Sequence, residues 1–591
     1  MNPIVAPVSG GVFNGADWLV VGLFVLVMLA IVLYSMRTQV RSGQDYFLSG
    51  RDSNWLQIGT SIFSSNIGSE HLVGLAGAGF ATGMAMAHWE IQSWLILVLG
   101  WVFVPLYDRM KVFTMPEFLE LRFSRGSRNV LSLLTIASLV LTKIAVTIYA
   151  GDVVVRTLLG IDTVTILGAH IDVFWVIALG LAATTGLYTV LGGLRVIMYT
   201  AVLQAPVLIL GSVCILFCGL SVLGHGDLLA GWRATVAAAG NNIHLIRPLS
   251  DPDWSWAAVL PGSAIIGFWY WCTDQYIVQR VLAGKNQQQS RRGAILAAFL
   301  KLTPVFIFLV PGMIAFALTS MPGAGFATSG DAAYTSLVAQ ILPHGLRGMV
   351  ACSMIVALMA SLASKFNAAA TLVTMDFFRE RYPNASGTTE VLVGRIATAA
   401  IVIMGVCWVL VIKSLHSDLY VYLQSVQGYL SPAIAVLFLL GVFWKRATPA
   451  AALWAFVVGV VGGFARLAAD LVMRTDGALV TSLKQQRYHN TLTQEAYTAA
   501  LAPIQARHGW VFEFWSIHWL YYTQILFVTT AVVMIVLSFV TRPPDPGALR
   551  FTWYGATAQE KAATRASWNG LDVALSFVAL GAVVVFYILF W

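Results

Sequence analysis

The chain has 591 residues, of which 58% are hydrophobic and only 10% are charged, and its net charge is +8. An ordinary soluble domain carries about 25% charged residues, so this composition excludes a soluble globular protein and points to lipid. The positive balance does not indicate nucleic acid, because the basic residues sit in short loops rather than in one patch or stripe.

In chain order, apolar runs near 17–36, 54–79, 84–107, 129–158, 172–190, 196–223 and 254–276 read as membrane spans. Others follow near 293–319, 347–375, 391–413, 417–443, 448–472, 513–541 and 571–590. At about 20 apolar residues per crossing, the expected fold is an all-α integral membrane protein of about fourteen transmembrane helices. The first 16 residues contain no Lys or Arg, so the first run is expected to be a retained helix rather than a signal peptide. The five cysteines lie within apolar runs and show neither metal spacing nor a disulfide framework. No polar insert (the longest are 224–253, 320–346, 473–512 and 542–570) is large enough to stand apart, so residues 1–591 are expected to form one membrane domain.

Of the 35 Lys and Arg residues, 22 fall in every second loop, around 37–51, 109–128, 195, 280–292, 379–395, 445–446 and 542–565. Cytoplasmic loops collect positive charge, so both termini are expected outside the cell (plasma or inner) membrane.

Two spans contain residues poor for helix. In the second the run is Ser64-Ser65-Asn66-Ile67-Gly68-Ser69-Glu70-His71; in the seventh, Pro261-Gly262-Ser263 opens the segment and Gly267 precedes Phe268-Trp269-Tyr270-Trp271. Irregular backbone at membrane depth persists only where protein or a watery cavity satisfies its polar groups. Paired interruptions, each opening a set of five spans, point to an inverted-repeat transporter with a midplane site. Glu70, His71, Glu90, Lys143 and Lys301 also fall in apolar segments, where charge is expensive unless paired or hydrated. Lys301, Gln424, Asn66 and His71 supply an ammonium, amides and an imidazole, the donors and acceptors that hydroxyl-rich ligands need, and Tyr270 and Trp271 supply flat faces for a sugar ring.

These stretches resemble the sodium/solute symporter family, in particular its sodium/glucose cotransporter branch, from about residue 45 to 556. The likeness lies in Ser65-Asn66-Ile67-Gly68-Ser69, Gly100-Trp101, Thr114-Met115-Pro116-Glu117-Phe118 and Leu187-Tyr188-Thr189-Val190-Leu191-Gly192-Gly193-Leu194. It continues through Tyr270-Trp271-Cys272-Thr273-Asp274-Gln275, Ser364-Lys365-Phe366-Asn367 and Phe443-Trp444-Lys445-Arg446. The resemblance implies a leucine-transporter-like five-plus-five inverted repeat over about 54–443, each half opening on a discontinuous helix, with one helix before and three after. It implies alternating access, with Asn66, His71, Lys301 and Gln424 binding a sugar or polyol and Tyr270, beside Trp271, acting as an inner lid. It also implies Na+ as coupling ion, bound by the carbonyls of Ser64, Ile67 and Ala357 and the hydroxyl of Ser361.

The chain departs from that pattern at four places. Ala360 replaces a second serine at the sodium site, and Ala201 replaces an aspartate after Tyr199-Thr200, which argues against a second sodium ion. Glu70 stands where close relatives have glycine and is a candidate coupling group or solute contact. The family's third-span glutamate would align with Trp89, leaving the substrate candidate Glu90 about 100° around the helix, with His88 as an alternative polar group. The leading expectation is a sodium-driven sugar symporter that needs a bilayer but no obligatory protein partner. The alternatives are a proton-coupled or uncoupled carrier of the same fold, or a transporter-fold solute sensor. No nucleophile–base pair, phosphate loop or metal-ligand cluster is legible, so no enzyme is expected.

Overall fold

The computed structural model describes residues 13–591 except 38–39, 69, 167, 322–325, 327, 329, 414–418 and 489–490. Ser69 of the first interruption, the start of the run at 417 and most of the N-terminal leader therefore lie outside the described residues. Eleven described helices are long and apolar enough to cross a membrane, and Trp256–Cys272 is a shorter apolar one. The difference from fourteen apolar runs has local causes. The expected spans at 172–190 and 196–223 are the two helical arms of Val173–Leu223, joined at a kink, and the third span follows the second half of the first broken helix within Glu70–Met110 across a break at Gly83, φ 65°.

Within Val173–Leu223, Gly193 adopts φ 57° and ψ −149°, a conformation open only to glycine, so the loop expected at 190–196 is a sharp kink. The Tyr46 hydroxyl donates to the carbonyls of Thr189 (3.1 Å) and Val190 (3.0 Å) just before it. Buried acceptors exposed by the kink are thereby paired.

Burial sorts the helices into centre and rim. The most apolar windows of Glu70–Met110, Leu346–Arg381 and Leu423–Phe443 are 72%, 72% and 78% buried, whereas those of Gly15–Ser35 and Gly570–Leu589 are 11% and 28% buried. The rim helices turn large side chains such as Leu19, Leu23, Leu26, Phe577 and Ile588 outward, as lipid requires. The first helix is pinned by Asp17, whose carboxylate accepts the backbone N–H groups of Gly345 (2.7 Å) and Gly348 (2.8 Å) at the start of Leu346–Leu372. An anion there complements the helix N-terminus.

The insert at 473–512 folds into helices Gly477–Tyr488 and Gln494–His508, followed by Trp510–Ser516. Met473, Val480, Leu483, Leu501, Ile504 and Phe512 give it a small core of its own. A short antiparallel hairpin, Thr163–Ile166 with Ala169–Asp172, closes one loop.

Candidate functional site

Two discontinuous helices build the centre. Trp55–Asn66 ends at Ile67, which is extended (φ −74°, ψ 114°), and the chain resumes as a wide-turn π-helix, Glu70–Leu75. The helix therefore presents its last carbonyls, Ser64 among them, without intrahelical donors. This interruption falls where the sequence placed it.

The second does not. Pro261, Ser263 and Gly267 all lie inside the continuous helix Trp256–Cys272, and the break is at Thr273–Asp274, before Gln275–Leu282. Pro261 cannot donate to the carbonyl of Ala257, but the side-chain amide of Gln524 does, at 2.9 Å, so the helix survives. Gly267 serves close approach instead: a Cβ there would meet Gln92 Oε1 at 2.2 Å, and Gln92 Nε2 donates to the carbonyl of Ser263 at 2.8 Å. At the true break the Tyr107 hydroxyl donates to the carbonyl of Cys272 (2.7 Å), and Asp274 takes the Lys143 ammonium (2.6 Å) in place of a cap.

Between the two breaks lies a small cavity of about 30 Å³, room for only a few waters, so a solute fits there only when the walls move apart. Asn66, Glu70, His71, Glu90, Tyr270, Trp271, Lys301 and Gln424 all line it, joined by Trp89, Gln92 and Gln427. Its polar wall is one network. The Lys301 ammonium donates to Glu90 Oε2 (2.5 Å) and Asn66 Oδ1 (3.2 Å), and His71 Nε2 lies 3.2 Å from the same Glu90 oxygen. Asn66 Nδ2 donates to the Tyr270 hydroxyl at 2.8 Å, which ties the first broken helix to the second. Trp271 lies 5.3 Å from the Lys301 ammonium, within cation–π range. His71 Nδ1, Trp89 Nε1 and Gln424 Oε1 are buried with no hydrogen-bond partner among the described residues. Such groups are expensive to leave unmade, so all three are available to a ligand.

Glu90 faces the cavity although its register appeared one residue late. Counting back from Gly100 crosses the π-turn Leu99–Phe103 and an irregular pair, Ile91 and Gln92. The helix is interrupted at Ile91 and Gln92, so a count made on a regular helix does not fix the direction of Glu90. His88 does not take the role: it lies between the Tyr587 hydroxyl and the carbonyl of Leu245, each at 2.9 Å.

The candidate sodium residues gather at the first break. Ser64 Oγ and Ser361 Oγ are buried without hydrogen-bond partners among the described residues, and a Cβ on Gly68 would lie 2.6 Å from Ser361 Oγ. Ala357 sits one turn before Ser361 on Leu346–Leu372. Carbonyl and hydroxyl oxygens are the ligands that a hard cation takes; the two serine hydroxyls fit it, whereas the Ala357 carbonyl lies within a continuous helix.

Some lining residues carried weak sequence signals. Gln427 lies three residues after Gln424, on the same helical face. Lys365 and Asp274 stood inside the motifs quoted above, and the depth criterion that flagged Lys301 applies to them as well. Lys365 pairs with Glu70 at 3.1 Å and Asp274 with Lys143 at 2.6 Å.

Polar side chains around a cavity between two broken helices are the arrangement that secondary transporters use. A family model for the sodium:solute symporter family matches residues 46–459. Among similar proteins, sodium/myo-inositol cotransporter 2 of Oryctolagus cuniculus is 34% identical over 568 residues, covering 91% of this chain and 79% of that protein. Sodium/glucose cotransporter 1 of Sus scrofa is 33% identical over 585 residues, covering 93% and 82%. The chain belongs to the sodium:solute symporter family. Its fold is similar to that of a Na+-coupled sialic acid symporter solved in a substrate-bound outward-open state, with a TM-score of 0.68 at 19% identity over 90% of this chain and 99% of that one. That likeness carries the leucine-transporter-like architecture expected from the motifs.

Proposed function

We propose that this chain imports a neutral hexose or polyol together with sodium, by alternating access across the cell membrane. The observation that carries the reading is the convergence of Asn66, His71, Glu90, Lys301, Gln424, Tyr270 and Trp271 on one cavity between the two broken helices. Each charge in its wall is matched, Lys301 by Glu90 and Glu70 by Lys365, which favours a neutral solute over an anion. Hydroxyls both donate and accept, so a polyol can engage the imidazole and indole nitrogens and the amide oxygen together. Relatives named for glucose and myo-inositol support the same class.

Tyr270 with Trp271 forms the inner lid in this reading. Ser64, Ile67, Ala357 and Ser361 hold sodium, and Glu70 is the coupling group. Residues 1–591 act as one transporter domain, with the repeat over about 54–443 and both termini outside.

The test is uptake of labelled myo-inositol and D-glucose into proteoliposomes, with sodium replaced by potassium or choline at two pH values. Uptake of one solute that requires sodium at both pH values is the expected result. Full uptake without sodium would overturn the reading in favour of a proton-coupled or uncoupled carrier, and saturable binding without flux would favour a sensor.

A further inference from the structure

We propose that Lys365 is a built-in cation: its ammonium occupies a site that a small diffusible cation would otherwise fill, and so lowers by one the number of ions carried with each solute. The proposal rests on the sodium-coupled reading above and adds a residue to it.

Lys365 lies on Leu346–Leu372, four residues after Ser361, and its side chain is fully buried. Three oxygens surround its nitrogen: Glu70 Oε1 at 3.1 Å, Thr147 Oγ1 at 2.9 Å and the carbonyl oxygen of Lys143 at 3.5 Å. A carboxylate, a hydroxyl and a carbonyl are the donor set of a hard-cation site, here filled by a tethered ammonium. The three come from different elements, since Glu70 opens the second half of the first broken helix, Lys143 lies in the π-turn Leu139–Ile144 and Thr147 follows it in Ala145–Leu159. The ammonium, carried on Leu346–Leu372, therefore ties the discontinuous helix to the run Arg125–Leu158. Glu70 reaches toward the sodium residues as well: its Oε2 lies 3.7 Å from the position that a Cβ on Gly68 would take, and Ser361 Oγ lies 2.6 Å from the same point. One carboxylate thus stands between the tethered cation and the candidate sodium site. Removing the ammonium would leave the buried Glu70 carboxylate without its hydrogen-bonded cation, which favours entry of another cation.

The experiment measures thermal unfolding of the full chain in detergent against sodium concentration, with choline chloride holding ionic strength constant. A ligand that binds only the folded state stabilises it in proportion to the logarithm of its concentration, once per site. Lys365→Ala is expected to steepen this dependence about twofold over the unsubstituted protein. The variant Lys365→Arg, which keeps a tethered cation at the same place, is expected to keep the original slope. An unchanged slope in Lys365→Ala, or no folded Lys365→Ala protein at any sodium concentration, would overturn the proposal. A flat response in the unsubstituted protein would sink the sodium-coupled reading instead, while a sodium response gained only in Lys365→Ala would still uphold the built-in cation.

Discussion

Lys301 and Glu90 meet at 2.5 Å with both side chains buried, and each is the other's main charge partner. Lys301→Ala leaves a buried carboxylate uncompensated and is expected to destabilise the protein by about 3–5 kcal/mol. Adding Glu90→Gln is expected to recover part of that loss, a coupling of about 0.5–3 kcal/mol in a double-mutant cycle read by thermal unfolding. Gln424 behaves differently. Its Oε1 bonds nothing among the described residues, so Gln424→Ala is expected to leave the melting temperature nearly unchanged while weakening solute affinity by about 0.5–1.5 kcal/mol, measured as KM for uptake. These residues were legible in the sequence because an ionisable or amide group in an apolar run demands a reason. Their pairing was not legible, since Lys301 and Glu90 are 211 residues apart and nothing local to either names the other.

Interruptions are the informative elements of this chain. Two devices stand out, a glycine that admits a neighbour and a proline whose freed acceptor a distant side chain satisfies. Gly193 illustrates the first, with a positive φ and a would-be Cβ only 2.4 Å from the carbonyl oxygen of Tyr46. Gly193→Ala therefore combines backbone strain of about 1–3 kcal/mol with a backbone clash, and is expected to lower the melting temperature measurably in detergent. Proline and glycine draw attention in a sequence, yet Pro261 and Gly267 sit in unbroken helix while the quieter Thr273–Asp274 pair holds the break. Whether a helix breaks depends on who satisfies the freed carbonyl, and here Gln524 does so from 267 residues away.

At the scale of the whole molecule, most of the positive charge in alternate loops implies a defined orientation. Cysteines introduced singly at Leu249 and at Asn286, both exposed in loops expected on opposite sides, test it. Leu249→Cys is expected to react with a membrane-impermeant maleimide on intact cells, and Asn286→Cys only after permeabilisation. The amino-acid sequence by itself determined the solvent, the class of fold and most of the cavity-lining residues, because hydropathy and misplaced polar groups are properties of local segments. Only the tertiary structure decided where the helices break, that Glu90 rather than His88 turns inward, and that Lys365 pairs with Glu70. Those outcomes hang on partners far along the chain, and in a bilayer core, where water is absent, the partner decides whether a polar group can be there at all.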